Sequence, residues 1–319
     1  MRVSVMDAVS LFARIIRGIL GRCLRCLTVK MFSLWERLGI HVTPVHFYQT
    51  IPDTRELDDS LWQEKSDLVG VDMNDDSQIH LMNRLGPFIE EFSRFPDEPT
   101  SEPYQYYKRN TSFAGFDGAF LYGMIRLFQP RRVVEIGSGF STRLSAAALL
   151  RNADLCGHQG ELIAIDPYAG KEVRNGFHGL SMLINQKVQE VHLSEFAKLG
   201  PNDILFMDSS HVLSIGSDVQ YEYLEIIPRL REGVLVHIHD ICFPNELPRE
   251  YAMKHRWFWN EQYLLQAFLA YNGAFEVMWS SSYMSTFHLT ELEVVFGDIL
   301  RQNPERMPGI GGSFWMRRL

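Results

Sequence analysis

The chain has 319 residues, of which 46% are hydrophobic and 22% charged, and its formal net charge is -8. This composition is typical of a globular protein with a sizeable core and excludes a chain that is disordered throughout. Because a nucleic-acid-binding protein needs a concentrated basic face, we expect no nucleic-acid partner. The four cysteines form no disulfide framework, and the C-x-x-C pair Cys23 and Cys26 lacks a second ligand pair, so a cytoplasmic location is favoured.

Residues 7–27 are predicted to form a basic amphipathic helix. Apolar residues recur at helical spacing from Ala8 to Cys23, and arginines gather on the other side, at Arg14, Arg17, Arg22 and Arg25. The stretch carries too many charges to span a bilayer, and it lacks a clean apolar region and a cleavage site. Three interpretations stay open: peripheral contact with an anionic membrane, packing on its own domain or a partner, or a translation start at Met31.

The next part of the chain, residues 31–112, is predicted to be an N-terminal extension that forms a substrate or lid region. It begins with extended, proline-punctuated sequence at His41–Tyr48 and Ile51–Asp53. Helical periodicity follows within residues 72–100. Residues 1–30, 31–112 and 113–319 are therefore taken as the basic helix, the extension and the main domain.

Strands and helices alternate from residue 130 onward. The strand candidates are Val133–Ile136, Leu162–Ile165, Val188–His192, Ile204–Met207, Val234–His239, Phe275–Trp279 and Phe314–Arg317, the last of them as a final edge strand. Helical stretches between them include Thr142–Leu150, Gly179–Asn185, Ser217–Leu230, Trp257–Tyr271 and Leu289–Gln302. This alternation predicts an α/β fold with a mostly parallel sheet and helices on both faces.

A glycine loop follows the first of these strands. Gly137 and Gly139 let the backbone approach a ligand closely, and Ser141 or Thr142 can cap the next helix. The G-x-G-x-x-G fingerprint of dinucleotide-binding enzymes is absent. The second strand ends at Asp166, whose carboxylate can accept hydrogen bonds from both hydroxyls of a ribose.

Glu135, Gly137 and Gly139, followed by Asp166, resemble the class I S-adenosylmethionine-dependent methyltransferases. The resemblance runs from about residue 113 to 319 and departs where the family often has a third glycine, here Ser141. It implies a Rossmann-like seven-stranded sheet with an antiparallel last strand, preceded here by an N-terminal helical elaboration. It also implies S-adenosylmethionine as the cofactor, bound by Glu135, Gly137, Ser138, Gly139, Ser141, Asp166 and Asp208.

Four polar residues lie at or just past the carboxyl ends of the fourth and fifth strands. Asp208, His211, His239 and Asp240 should converge, because the carboxyl ends of parallel strands meet at one edge of the sheet. Two carboxylates and an imidazole suit a divalent cation, here Mg, Mn or Fe, which would lower the pKa of a substrate hydroxyl. Alternatively, His211 takes the proton directly, with Asp208 beside it.

The same segment is similar to a metal-dependent subgroup that includes cephalosporin-hydroxylase-like and sugar O-methyltransferases. Carried over from that subgroup, the metal ligands are Asp208, His239 and Asp240. The departure is His239, where those enzymes usually have an acid or an amide. The resemblance implies O-methylation of a small molecule or a glycan. Aromatic residues at Trp257–Trp259 and Tyr104–Phe113 are candidates for the acceptor pocket.

Two competing functions remain at this point. One is a catalytically silent module that uses the methyltransferase fold for binding or assembly. The other is an oxidoreductase, which the missing dinucleotide fingerprint disfavours. The sequence leaves open a homo-oligomer and a membrane-peripheral location through residues 7–27.

Overall fold

The computed structural model describes residues 26–157, 160–301 and 311–319. The chain divides into two compact units, Met1–Leu61 and Trp62–Leu319. In the first unit, helix α1 spans Phe32–Arg37, and most of the predicted basic helix lies outside the described residues. The second unit contains both the sheet and residues 62–112. A separate lid role for residues 31–112 stays a prediction.

The described residues of the second unit form one seven-stranded sheet. Its strands are β1 Arg132–Ile136, β2 Glu161–Ile165, β3 Met182–Ile184, β4 Ile204–Met207, β5 Leu235–Ile238, β6 Phe275–Ser280 and β7 Phe314–Arg318. Their order is β3-β2-β1-β4-β5-β7-β6. Strands β1 to β5 pair in parallel, whereas β7 runs antiparallel to both of its neighbours. The predicted mostly parallel sheet with an antiparallel last strand is confirmed.

Helices cover both faces of this sheet. The remaining helices are α2 Asp75–Ser93, α3 Gly115–Phe128, α4 Phe140–Cys156, α5 Lys171–Arg174, α6 Asp218–Tyr221, α7 Glu261–Leu269, α8 Ser281–Phe287 and α9 Leu289–Arg301. The described residues form two large hydrophobic cores, and neighbouring residues of a strand enter different ones. Val133 belongs to the core that includes α3 and α4, and Val134 belongs to the core that includes α7. Burial on both faces explains the continuous apolar runs of the strands. Among the described residues, no helix is long and apolar enough to cross a membrane.

Two sequence-based predictions about the sheet were wrong. The third strand is Met182–Ile184, inside a predicted helix, and the predicted strand at Val188–His192 instead contains a 3-10 turn, Val188–Glu190. Short apolar runs do not distinguish a strand from a helical turn, which explains this error. The last strand, β7, lies between β5 and β6 and is therefore not an edge strand.

The register of the sheet places four sequence positions side by side. Ile136 pairs with Ile165 and with Met207, and Met207 pairs with Ile238. The residues that follow these strand ends therefore emerge at one edge, on both sides of the point where the strand order reverses. Ligands of open α/β sheets bind in the crevice at this switch point.

Candidate active site

The two glycines after β1 have different structural roles. Gly137 has φ +88°, and a Cβ atom added there would lie 2.2 Å from the carbonyl oxygen of Asp208. A Cβ atom added at Gly139 would meet no atom within 4 Å, and the φ of Gly139, 174°, suits any residue. Gly137 is therefore required by the turn, whereas Gly139 faces open space beside the start of α4.

This difference predicts that alanine at Gly137 lowers the stability of the fold, whereas alanine at Gly139 affects binding. We expect Gly137→Ala to destabilise the fold by about 2 kcal/mol or more, because the side chain meets a fixed backbone carbonyl at a positive φ. Gly139→Ala should leave the free energy of unfolding nearly unchanged and weaken cofactor binding. Denaturant unfolding and calorimetry measure the two effects. Equal stability losses in both variants would contradict this assignment.

Beneath the loop lies the buried carboxyl group of Glu135. Its Oε1 accepts a 2.6 Å hydrogen bond from the Ser141 hydroxyl, and its buried Oε2 has no hydrogen-bond partner among the described residues. Burial raises the pKa of Glu135 to about 8, although the hydrogen bonds from Ser141 and Thr142 oppose this shift. Thr142 rather than Ser141 caps the helix, because its hydroxyl accepts a hydrogen bond from the Gly139 N–H at 2.8 Å.

An open cavity of about 540 Å³ lies in front of this loop. Its lining includes Gly137, Ser138, Asp166 and Asp208. The Asp166 carboxylate accepts hydrogen bonds from the Ser138 hydroxyl at 2.6 Å and from the Tyr168 N–H at 2.7 Å. Because a carboxylate has about four acceptor positions, Asp166 keeps acceptor capacity for a ligand in this cavity.

Beside the cavity, His211 lies between two aspartates. Its Nε2 is 3.3 Å from Asp208 Oδ1 and 3.5 Å from Asp240 Oδ2. One ligand atom from each of these three residues lies within 4.8 Å of the others. The fourth predicted member, His239, lies next to this group, with Nε2 4.0 Å from Asp240 Oδ1 and its ring packed on Phe113.

The backbone at this cluster adopts conformations that most side chains avoid. His211 has φ 59° and Asp240 has φ 56°, both in the left-handed region. The His211 carbonyl accepts hydrogen bonds from the N–H groups of Asn260 and Glu261. Such conformations persist only where the surroundings enforce them, and they concentrate at functional sites.

The turn at Asp240 is held by two residues that the sequence did not identify as part of the site. Gly312 packs so closely that an added Cβ atom would lie 2.8 Å from the Asp240 Cα. Asp117 accepts hydrogen bonds from the N–H groups of Gly312 and Ser313 and thereby fixes the chain before β7. The role of Asp117 is therefore to anchor the start of the last strand.

Glu261 is another residue that sequence reasoning missed. It begins α7, and its Oε2 lies 2.9 Å from His211 Nδ1, with both side chains buried. The sequence does contain one indication that Glu261 is buried with a partner. Glu261 shares a helix face with Leu265 and Leu269, both buried, and an acid on an apolar face requires a partner.

The electrostatics of the cluster favour a charged imidazole. Burial opposes a charge on His211, but hydrogen bonds with Asp208 and Glu261 and the charge of Asp240 outweigh it, so the pKa of His211 lies well above its usual value. Burial opposes the ionised form of Asp208 as well, yet the histidines around it lower its pKa. An imidazolium at His211 therefore offsets the repulsion between the carboxylates of Asp208 and Asp240.

The candidate acceptor aromatics fall into two groups. Tyr106 and Phe113 belong to the core, where the Tyr106 hydroxyl donates to the Phe113 carbonyl. In contrast, Trp259 lies 4.4 Å from His211 between ring centroids, and Trp257 stacks on Trp259 at 5.1 Å with an interplanar angle of 8°. Tyr251 packs edge-on against both tryptophans. This second group forms an aromatic wall beside the cluster.

Comparisons with known proteins agree with this geometry. The family model described as "Methyltransferase domain" matches residues 134–241, which contain the glycine loop, Asp166, Asp208, His211 and Asp240. An uncharacterised protein of Archaeoglobus fulgidus is 32% identical over 180 residues, which are 54% of this chain and 80% of that protein. This chain contains a methyltransferase domain, matched over residues 134–241.

Solved structures of methyltransferases are also similar, at lower identity. The Mg–SAM form of CmcI is 17% identical, with 72% of this chain and 84% of that chain covered and a TM-score of 0.36. Apo CalS11, described as a TDP-rhamnose 3'-O-methyltransferase, is 13% identical, with 77% and 95% covered and a TM-score of 0.36.

Proposed function

We propose that this methyltransferase transfers a methyl group from S-adenosylmethionine to a hydroxyl group of a small molecule or a glycan. The observation that carries the proposal is the position of Asp208. Its side chain lines the cofactor cavity and also contacts His211, so a proton acceptor lies directly beside the cofactor site. Incubation with methyl-labelled S-adenosylmethionine and a panel of alcohol, phenol and sugar acceptors tests the proposal.

The outcomes of that assay separate the alternative functions. Labelled product together with S-adenosylhomocysteine supports an O-methyltransferase. Cofactor binding without transfer to any acceptor would support the silent binding module. Binding of NAD in place of S-adenosylmethionine would support the oxidoreductase.

In the proposed complex, residues that line the cavity and residues beside it bind different parts of the cofactor. Asp166 accepts hydrogen bonds from the ribose hydroxyls, and the open side of Gly139 accommodates the methionine portion. The orphaned Oε2 of Glu135 is available to the amino group of the cofactor. The hydroxyls of Ser138 and Ser141 instead bond Asp166 and Glu135 and shape the loop.

The reaction proposed is an in-line displacement at the methyl carbon. The acceptor oxygen forms a bond to that carbon, the sulfur–carbon bond breaks, and the electron pair remains on sulfur in S-adenosylhomocysteine. The proton of the acceptor hydroxyl moves to Nε2 of neutral His211, which Asp208 and Asp240 then stabilise as imidazolium. The protein's main contributions are positioning and proton removal.

The same donor set also fits a divalent cation. Two carboxylate oxygens and an imidazole nitrogen lie within 4.8 Å of one another, and Glu261 bonds the other nitrogen of that imidazole, as metal-binding histidines require. Asp208, His211 and Asp240 would hold the cation. Such a cation would lower the pKa of a hydroxyl next to it.

The proposed mechanism predicts a pH dependence. We expect kcat/KM to decrease as the pH falls through the pKa of His211, because only the neutral imidazole accepts a proton. Since that pKa is raised, the decrease begins at a higher pH than for an ordinary histidine. Asp240→Asn removes one of the charges that raise it, so the profile of this variant should move to lower pH. An unmoved profile would argue against His211 as the base.

The aromatic wall is proposed as the acceptor side of the site. Trp259 contacts His211, and Trp257 extends the wall to the surface, where it is 45% exposed. A flat or ring-shaped acceptor fits such a wall, with a hydroxyl directed at His211. We expect Trp257→Ala to raise the KM of the acceptor with little change in kcat. An altered kcat at unchanged KM would contradict this role.

We also propose that the N-terminal unit contacts an anionic lipid surface. Its described residues expose large apolar side chains, including Val29, Leu38, Phe47 and Tyr48, and the basic stretch of residues 7–27 adds arginines. Co-sedimentation with phosphatidylcholine vesicles, with and without phosphatidylglycerol, tests this contact. Replacement of Arg14, Arg17, Arg22 and Arg25 by glutamine should abolish binding to the anionic vesicles. A lack of binding by the unaltered chain would refute the proposal.

A further inference from the structure

Glu261 contacts His211 through both its backbone and its side chain. The Glu261 N–H bonds the His211 carbonyl at 3.2 Å, and its Oε2 lies 2.9 Å from His211 Nδ1. Asn260, directly before it, bonds the same carbonyl at 3.0 Å. The first residues of α7 therefore fix the main chain and the ring of His211 together, although they are about fifty positions away in the sequence.

The side-chain contact decides which nitrogen of His211 faces the reaction. A neutral imidazole carries one proton, and the ring nitrogen with an acceptor next to it is the one that keeps the proton. The Glu261 carboxylate oxygen lies 2.9 Å from Nδ1, closer than Asp208 Oδ1 at 3.3 Å and Asp240 Oδ2 at 3.5 Å lie to Nε2. The neutral ring therefore keeps its proton on Nδ1 and its lone pair on Nε2. That nitrogen is directed toward Asp208 and Asp240.

We propose that Glu261 is a positioning residue that keeps His211 as the Nδ1–H tautomer with Nε2 directed at the acceptor hydroxyl. This inference rests on the proposed function, because it assigns Glu261 a role only through His211. Glu261 does not line the cofactor cavity and therefore has no direct part in cofactor binding.

Both side chains of the Glu261–His211 pair are shielded from solvent. The Glu261 side chain is 3% exposed and that of His211 is 8% exposed. Next to this pair, the equally buried Glu222 accepts a hydrogen bond from the Ser209 hydroxyl at 3.0 Å and makes no hydrogen bond to the imidazole. Without the Glu261 carboxylate, the ring can rotate or change tautomer, because no other described residue hydrogen-bonds Nδ1.

A double-mutant cycle tests this role. Glu261→Ala should lower kcat by about 10- to 100-fold, the usual cost of losing such an orienting partner, with KM and cofactor affinity nearly unchanged. In the His211→Ala background, the same substitution should have no further effect, because the residue through which Glu261 acts is gone. A merely structural role would instead give additive losses.

Two further variants keep the test decisive. Glu261→Gln retains an amide oxygen that can accept from Nδ1–H, so it should restore most of the kcat lost in Glu261→Ala, and it serves if the alanine variant does not fold. Glu222→Gln is the matched control for a buried carboxyl group and should leave kcat within about threefold.

The outcomes distinguish the positioning role of Glu261 from the proposed role of His211 as the base. Additive losses, or an unchanged kcat in both Glu261 variants while His211→Ala is impaired, overturn the positioning role alone. An unchanged kcat in His211→Ala overturns the proposed mechanism and the positioning role with it.

Discussion

Replacing His211 with alanine is expected to lower kcat by about 10²–10⁴-fold while leaving cofactor affinity nearly unchanged. The loss is large because Nε2 of His211 is the proposed proton acceptor, and cofactor affinity is preserved because His211 does not line the cofactor cavity. Single-turnover measurements at saturating cofactor give the rate, and calorimetry gives the affinity. His211→Asn is the matched variant, since asparagine tolerates the left-handed φ of 59° better than alanine does.

A chelator separates this mechanism from one that depends on a metal. With His211 as the base, we expect the rate to be the same before and after treatment with a chelator. The contrary result would be a complete loss of turnover that Mg or Mn restores, with Asp240→Ala losing both the metal and the activity. In that case the cation, and not the imidazolium, holds Asp208 and Asp240 together, and the base mechanism is wrong.

The sequence predicted most of the sheet because most strands are buried on both faces and appear as unbroken apolar runs. The exceptions have physical reasons. The third strand has three residues, one of them Met182, which is 49% exposed, so no apolar run distinguishes it. The interior position of β7 does not follow from its place in the chain. However, Phe314, Trp315 and Met316 are all fully buried, which an edge strand would rarely allow.

Only the site residues that lie at the ends of strands could be predicted from the sequence. Residues within two positions of the ends of β1, β2, β4 and β5 emerge at one edge whatever the loops do, which is why Gly137, Asp166, Asp208 and Asp240 could be placed from the sequence. The residues that orient this set come from elsewhere in the fold. Glu261 approaches His211 from α7, through a packing geometry that periodicity does not specify. Its position on an apolar helix face indicated a buried partner without identifying it.

Asp166→Ala is expected to weaken binding of S-adenosylhomocysteine by about 100-fold or more. Hydrogen bonds to a charged group contribute about 1.5–3 kcal/mol each, and the Asp166 carboxylate is proposed to accept two from the ribose. The bonds that this carboxylate makes within the protein, with Ser138 and Tyr168, provide a competing explanation. Asp166 could support binding only by ordering the glycine loop through Ser138.

Two controls decide between these explanations. Ser138→Ala removes the loop contact and keeps the carboxylate, so its affinity should stay within about threefold of the unaltered protein, because the group proposed to bind the ribose hydroxyls is unchanged. An S-adenosylhomocysteine analogue without ribose hydroxyls should bind the unaltered protein and Asp166→Ala almost equally, because the groups that Asp166 recognises are absent. If Ser138→Ala loses as much affinity as Asp166→Ala, or if the analogue still distinguishes the two proteins by 100-fold, Asp166 acts by shaping the loop and the ribose contact is wrong.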